Sequence, residues 1–189
     1  MDIGQGAGLS GASGVRPFLP ALLAGALARG DTGLDFDGTS FSFLEEPWFL
    51  VIVLALAVLA YMLQRRGLSV LLDRGLLVLG LVLGALLFAG SLADEGYESW
   101  PGLIGGVACA ALGYFALALL FARARRRVRD SGGAVTLLDT YLDLIALALA
   151  GISILFPPLA YVALVAFLVL IVRSRGEGAQ KYEGLRSLR

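Results

Sequence analysis

Four apolar stretches of near membrane-spanning length limit what this chain can fold into. They run from Trp48 to Leu63, Leu76 to Leu92, Leu103 to Ala122 and Leu137 to Phe156. Crossing the hydrocarbon core of a bilayer as a helix takes about 20 apolar residues, and a helix satisfies its own backbone in lipid. A fifth stretch, Leu159 to Val172, follows Pro157-Pro158 almost at once. A sixth, Val15 to Ala28, is short and interrupted by Arg16, Pro17 and Pro20. Its roughly 14 residues reach about 21 Å as a helix, short of the roughly 30 Å core. It therefore either recruits the Gly/Ser-rich residues before it or enters and leaves on one side. Of the 189 residues 58% are hydrophobic, and mean hydropathy is +0.84. Soluble domains are about 45–50% apolar. The expected fold is all-α: a polytopic membrane helical bundle of four strong transmembrane helices plus two Pro-broken segments. It forms a single domain over residues 1–173, followed by a tail at 174–189.

Net charge is zero, yet the charges are segregated. Arg65 and Arg66 follow the first strong span, and Arg123, Arg125, Arg126, Arg127 and Arg129 follow the third. Arg173, Arg175, Lys181, Arg186 and Arg189 follow the last. The intervening loops are acidic, with Asp31, Asp35, Asp37, Glu45 and Glu46 in one and Asp94, Glu95 and Glu98 in the other. Basic loops stay in the cytoplasm, so residues 30–47 and 93–100 are expected outside and the tail inside. All but one of the 15 basic residues are arginine, which suggests a GC-rich bacterial genome; the expected location is the bacterial inner membrane, multi-pass, with the C-terminus in the cytoplasm. Ala26-Leu27-Ala28 after a short apolar run imitates a signal-peptide cleavage site. The prolines and the Gly-rich stretch before them argue against processing, so the segment is kept in the fold.

Two self-similarities run through the chain. Gly11, Ser13, Pro17 and Leu19 reappear at the same spacing as Gly151, Ser153, Pro157 and Leu159. Trp48, a span, Arg65-Arg66, Leu71-Leu72-Asp73 and a second span parallel Trp100, a span, Arg125-Arg126-Arg127, Leu137-Leu138-Asp139 and a second span. Transporters are often built from such repeats, with broken helices meeting near the bilayer midplane. Leu/Ala/Gly/Val-rich sequence also matches itself by chance, and both readings stay open.

Arg16 is the residue that most needs a reason. Facing lipid it would cost about 2.5–3.5 kcal/mol on insertion scales, so it should face protein, water or a polar ligand. A guanidinium suits a carboxylate or phosphate. Asp139 and Asp143 lie four residues apart on one helix face with Thr136 and Thr140. Asp143, flanked by Leu142, Leu144 and Ile145, is the deeper of the two. It reads as a relay, a structural salt bridge or the partner of Arg16, whereas Asp139 suits a first helical turn. The expected substrate-binding set is Arg16, Ser13, Pro17, Asp143, Ser153 and Pro157, with Arg16 and Asp143 as a single charged pair joining the two proline elements. Asp73-Arg74, Trp48 and Trp100 read as interfacial anchors, and Gly80-Gly84 and Gly102-Gly106 as helix-packing pairs.

Enzyme signatures are absent: no Walker loop, no HExxH, no nucleophile elbow and no histidine. Cys109 is the lone cysteine, which excludes disulfides, and neither cofactor nor metal is expected. The arginines at 123–129 border a span, so they mark topology and contact anionic lipid, not nucleic acid.

The string Gly11-Ala-Ser-Gly-Val-Arg-Pro-Phe-Leu-Pro20, with the tail Lys181-Tyr182-Glu183-Gly184-Leu185-Arg186, resembles an uncharacterised bacterial integral membrane family, domain of unknown function four-one-two-six. The resemblance implies a small bacterial membrane protein and carries over no catalytic residues. Two functions are expected from the residues. One is a transporter or lipid-handling protein for an anionic small solute or lipid headgroup. The other is a non-transporting membrane scaffold whose tail recruits a partner. The expected partners are membrane lipids, such an anion, and further copies of the chain in a homo-oligomer.

Overall fold

A helix almost without side chains runs through the centre of the molecule. The structure, a computed structural model, describes residues 3–30, 32–65, 69–128 and 132–186. Asp31, Arg66, Arg129 and Arg189 lie outside the described residues, as do the side chains of Asp139 and of the arginines at 123–127. Among the described residues the chain is all helical: α1 (Ile3–Val15), α2 (Phe18–Ala28), a 3-10 turn (Ser42–Leu44), α3 (Pro47–Arg65), α4 (Ser69–Asp94), α5 (Trp100–Val128), α6 (Gly132–Leu155) and α7 (Pro157–Arg186). α7 continues without a break from the last apolar stretch into the tail.

Every residue of α1 from Gly4 to Gly14 is buried. Its glycines let other backbones come to contact distance on all sides. A Cβ on Gly14 would run into the Ala110 carbonyl of α5, one on Gly8 into Ser153 Oγ of α6, and one on Gly6 into the Phe88 ring of α4. Gly4 and Gly11 face Pro157, Tyr161, Leu164 and Phe167 of α7. The Ser10 hydroxyl is 2.6 Å from the Gly84 carbonyl of α4 and 2.8 Å from Gly6 O. α4 and α5 pack closely as well: Gly102 meets Ala89, and Gly106 meets Ala85. The small-residue pairs on these helices are thus used inside the chain.

α1 and α2 form a hairpin. Gln5 Nε2 donates to the Gly33 carbonyl at 2.6 Å, and Thr32 N–H bonds back to Leu27 at the end of α2. Two arms of about 16 Å each, run on in one direction, would place Gly33 about 30 Å from Gln5. The chain must therefore reverse at Arg16-Pro17. Of the two expectations for this segment, both ends at one level is the one seen, and the Gly/Ser-rich residues form the first arm. Both ends lie at the acidic end of the bundle, where Asp35 N–H reaches Asp94 Oδ2 at 3.4 Å. The acidic loop is anchored there by Leu34, Phe36 and Leu44, all buried in the main core.

The second proline element differs. α6 ends at Leu155, Phe156 N–H bonds to Ile152 O, and Pro157 opens α7 in the first-turn position that tolerates its missing N–H. This turn also lies at the acidic end, since Gly4 abuts Pro157 O. The 151–172 segment is therefore the junction of two long helices, not a re-entrant element. The helix pairs of the expected repeat, α3–α4 and α5–α6, each touch little, and the close pairing is α4 with α5 across the two units.

Two helical stretches, Asp73–Asp94 and Trp100–Ala118, are long and apolar enough to cross a membrane. The other two expected strong spans appear as the shorter apolar stretches Pro47–Leu63 and Thr140–Leu155, and Pro157–Arg173 is shorter too.

Stability should follow these contacts. Gly14→Val drives a side chain into backbone and should cost about 1–3 kcal/mol. Gly151 has open space around its Cβ position, so Gly151→Ala should add about 0.5–1 kcal/mol through helix propensity. Thermal unfolding of purified variants in one detergent checks both signs.

Candidate functional site

The hairpin tip is made by proline. The α1 ladder ends with Arg16 N–H donating to Ala12 O at 3.0 Å. Proline disfavours helical geometry in the residue before it, so the turn falls at Arg16. Pro17, at φ −62° and ψ −39°, starts α2 without any side-chain cap. Neighbours fix the tip: Gly80 of α4 sits against Ser13 O and Pro17 Cβ. Val15 packs on Ala116, Leu117, Leu142 and Phe167.

This placement turns Arg16 towards α6. There Leu142, Ala146 and Ala150 are buried against the bundle, and Asp143 stands one position round the helix. Arg16 Nε lies 2.7 Å from Asp143 Oδ1, with side-chain exposures of 19% and 46%. Nε itself makes no aligned hydrogen bond. In water an ion pair this open is worth about 0–1 kcal/mol. Surrounded by apolar material it matters more, because either charge left alone would be costly. Chemically, a guanidinium carries five donors in a planar fork and can serve a carboxylate and a second oxyanion together or in turn.

The expected site residues divide between the two ends of α1. Ser13, Arg16, Pro17 and Asp143 gather at the tip. Ser153 and Pro157 do not join them. Pro157 lies against Gly4 and Ser153 against Gly8, and Ser153 is ten residues along α6 from Asp143, about 15 Å. Both serines are buried, and each donates to the carbonyl four residues earlier, Ser13 to Leu9 and Ser153 to Leu149. The matching Gly-x-Ser-x-x-x-Pro spacing thus reflects the same local serine bond in two different settings.

Some positioning residues were not anticipated. Gln5 clasps the hairpin ends, Gly14 lets the tip approach α5, and Phe36 plugs the loop. The spacing of Gly4, Gly8 and Gly11 marks one helix face and would have revealed α1. A separate feature lies at the acidic end, where carboxylate oxygens of Asp35, Asp37 and Glu45 come within 4.8 Å of one another. Glu45 is pushed up from the ordinary glutamate range, first by burial, then by a hydrogen bond shared with Asp37 and by repulsion from Asp37 and Asp35. A bond from the Phe36 backbone opposes this.

Fold and site together define a class: an all-helical bundle with a proline-tipped inner hairpin whose arginine is held by an aspartate on a long helix. The chain belongs to the family described as Domain of unknown function (DUF4126), whose family model matches residues 3–176. No curated protein and no solved structure matches it.

The acidic loop should respond to pH. Because Glu45 binds its proton more tightly when folded, wild-type stability is favoured at low pH and falls as pH rises through the folded value. Glu45→Gln should therefore be more stable than wild type at neutral pH. That advantage should shrink below the ordinary glutamate range. Unfolding curves at pH 7 and at pH 4 read the difference, and an equal gap at both would rule out this origin.

Proposed function

We propose that this protein is a multi-pass protein of the bacterial inner membrane that transports or handles an anionic small solute or a lipid headgroup, with Arg16 as the contact. α3 to α7 would be the crossing helices, and α1–α2 a hairpin that enters and leaves at the acidic, outer end. The tail would lie in the cytoplasm, following the arginine distribution.

The membrane assignment is supported by an extensive apolar exterior around a central helix of small residues. α1 is glycine, alanine and serine packed closely by its neighbours, while large apolar side chains such as Val51, Leu59, Val82, Ile104, Leu144 and Val165 are exposed on all five long helices. A water-soluble bundle covers such faces with polar side chains, whereas lipid rewards close backbone packing and accepts an apolar exterior. Trp48 and Trp100 are exposed near the acidic end, as interfacial anchors would be.

The observation that carries the anion reading is the Arg16–Asp143 pair at the tip of an otherwise buried hairpin. Counting helical rise from the acidic end, Asp143 is 12 residues in from Leu155, about 18 Å. With that end at one face of a roughly 30 Å core, a fixed cation would lie more than halfway across, where cations are rare and mark pathways. A scaffold reading rests on a different observation, the backbone-to-backbone closure of Gly14 on Ala110 and Gly113 on Gly11, which suits a rigid module.

Proteoliposomes separate the two. With labelled phosphatidylglycerol and inorganic phosphate as probes, wild type should move at least one. Arg16→Gln should cut that rate about tenfold or more, the scale of one charge-assisted contact. Removal of residues 174–189 should leave it intact. Equal rates for wild type and Arg16→Gln, or no movement of either probe, would overturn the transport reading.

A further inference from the structure

We propose that Asp143 is a displaceable internal counter-ion that occupies Arg16 until a phosphodiester monoanion takes its place; this rests on the anion reading above and names the ligand chemistry and the role of the carboxylate.

The two partners of the pair are unequally held. Arg16 follows directly on Gly14 and Val15, which are packed against α5, α6 and α7, and precedes buried Pro17. Its side chain is only 19% exposed. Asp143 is 46% exposed and stands beside Thr140, Tyr141 and Leu144, all on the open side of α6. A rotamer change can carry the Asp143 carboxylate towards the open side of α6, whereas the Arg16 side chain lies largely buried at the tip.

Charge count selects the ligand. α2 carries no ionisable residue, and α7 has none but Tyr161 between Pro157 and Val172. Tyr161 lies beside Gly4 at the acidic end, far from the tip. Arg16 and Asp143 together are neutral, so a single negative charge is the largest that leaves the opened site without a doubly uncompensated burden. The N-terminus of α2 begins two residues after Arg16 and has no side-chain cap. Pro17 and Pro20 carry no N–H, so Phe18 and Leu19 supply the first-turn donors that favour a phosphate oxygen. A phosphodiester offers one oxygen to the guanidinium and another to the helix end. Its source is either a water-borne ester or the headgroup linkage of an anionic lipid.

Calorimetric titration with dimethyl phosphate, on the full chain in zwitterionic-lipid nanodiscs, tests the first source. Phosphatidylglycerol binding in detergent tests the second. In whichever arm binding occurs, Asp143→Asn should bind about tenfold more tightly than wild type. Asp143→Glu should stay near wild type, and Arg16→Gln should bind undetectably. Thermal melts select the variants that remain folded. A folded Asp143→Asn with wild-type or weaker affinity would overturn the counter-ion role while leaving the anion site standing. Absence of binding to both wild type and Asp143→Asn in both arms would overturn the anion site itself.

Discussion

The architecture depends on a helix thin enough to be surrounded. α1 is built almost wholly from glycine, alanine and serine, with Gln5 and Leu9 as its two large buried side chains. Glycine disfavours helices by about 1 kcal/mol per residue relative to alanine, so such a segment would not hold as a helix alone. Contact with α4, α5, α6 and α7 stabilises it through dense packing, Ser10 adds a hydrogen bond to the buried Gly84 carbonyl, and Gln5 adds one to Gly33. The outer helices bury part of their large apolar residues, among them Phe88 and Phe167 against the α1 glycines, and leave many others exposed.

The same hairpin delivers a charge where a charge is hard to keep. Pro17 forces the turn, Gly80 and Gly14 let it approach α4 and α5, and Arg16 then meets Asp143. Without the carboxylate the guanidinium would sit largely buried and uncompensated. Without the guanidinium Asp143 would break an apolar helix face. Each residue makes the other tolerable.

Much of this was legible in the residues. The long helices follow from apolar run length, and an arginine and an aspartate within apolar sequence called for each other on cost alone. The hairpin was legible only as one of two alternatives, because its first arm looks like a glycine-rich loop. Tertiary packing overrode propensity there. The proline motif misled in its second copy: Pro157 opens a long helix instead of tipping a hairpin, and a local Ser-to-carbonyl bond recurs in both copies without a shared site. Phe36 was hidden because the loop around it reads as acidic and solvated, although Leu34, Phe36 and Leu44 recur within it as apolar anchors.

The claim on which the account turns is that Arg16 and Asp143 hold the hairpin tip as a pair. A double-mutant cycle of Arg16→Gln, Asp143→Asn and the combined variant, read by thermal unfolding in a single detergent, addresses it most directly. The pair predicts a coupling of about 0.5–3 kcal/mol, with the double variant losing less than the two single losses added together. Strict additivity would contradict it.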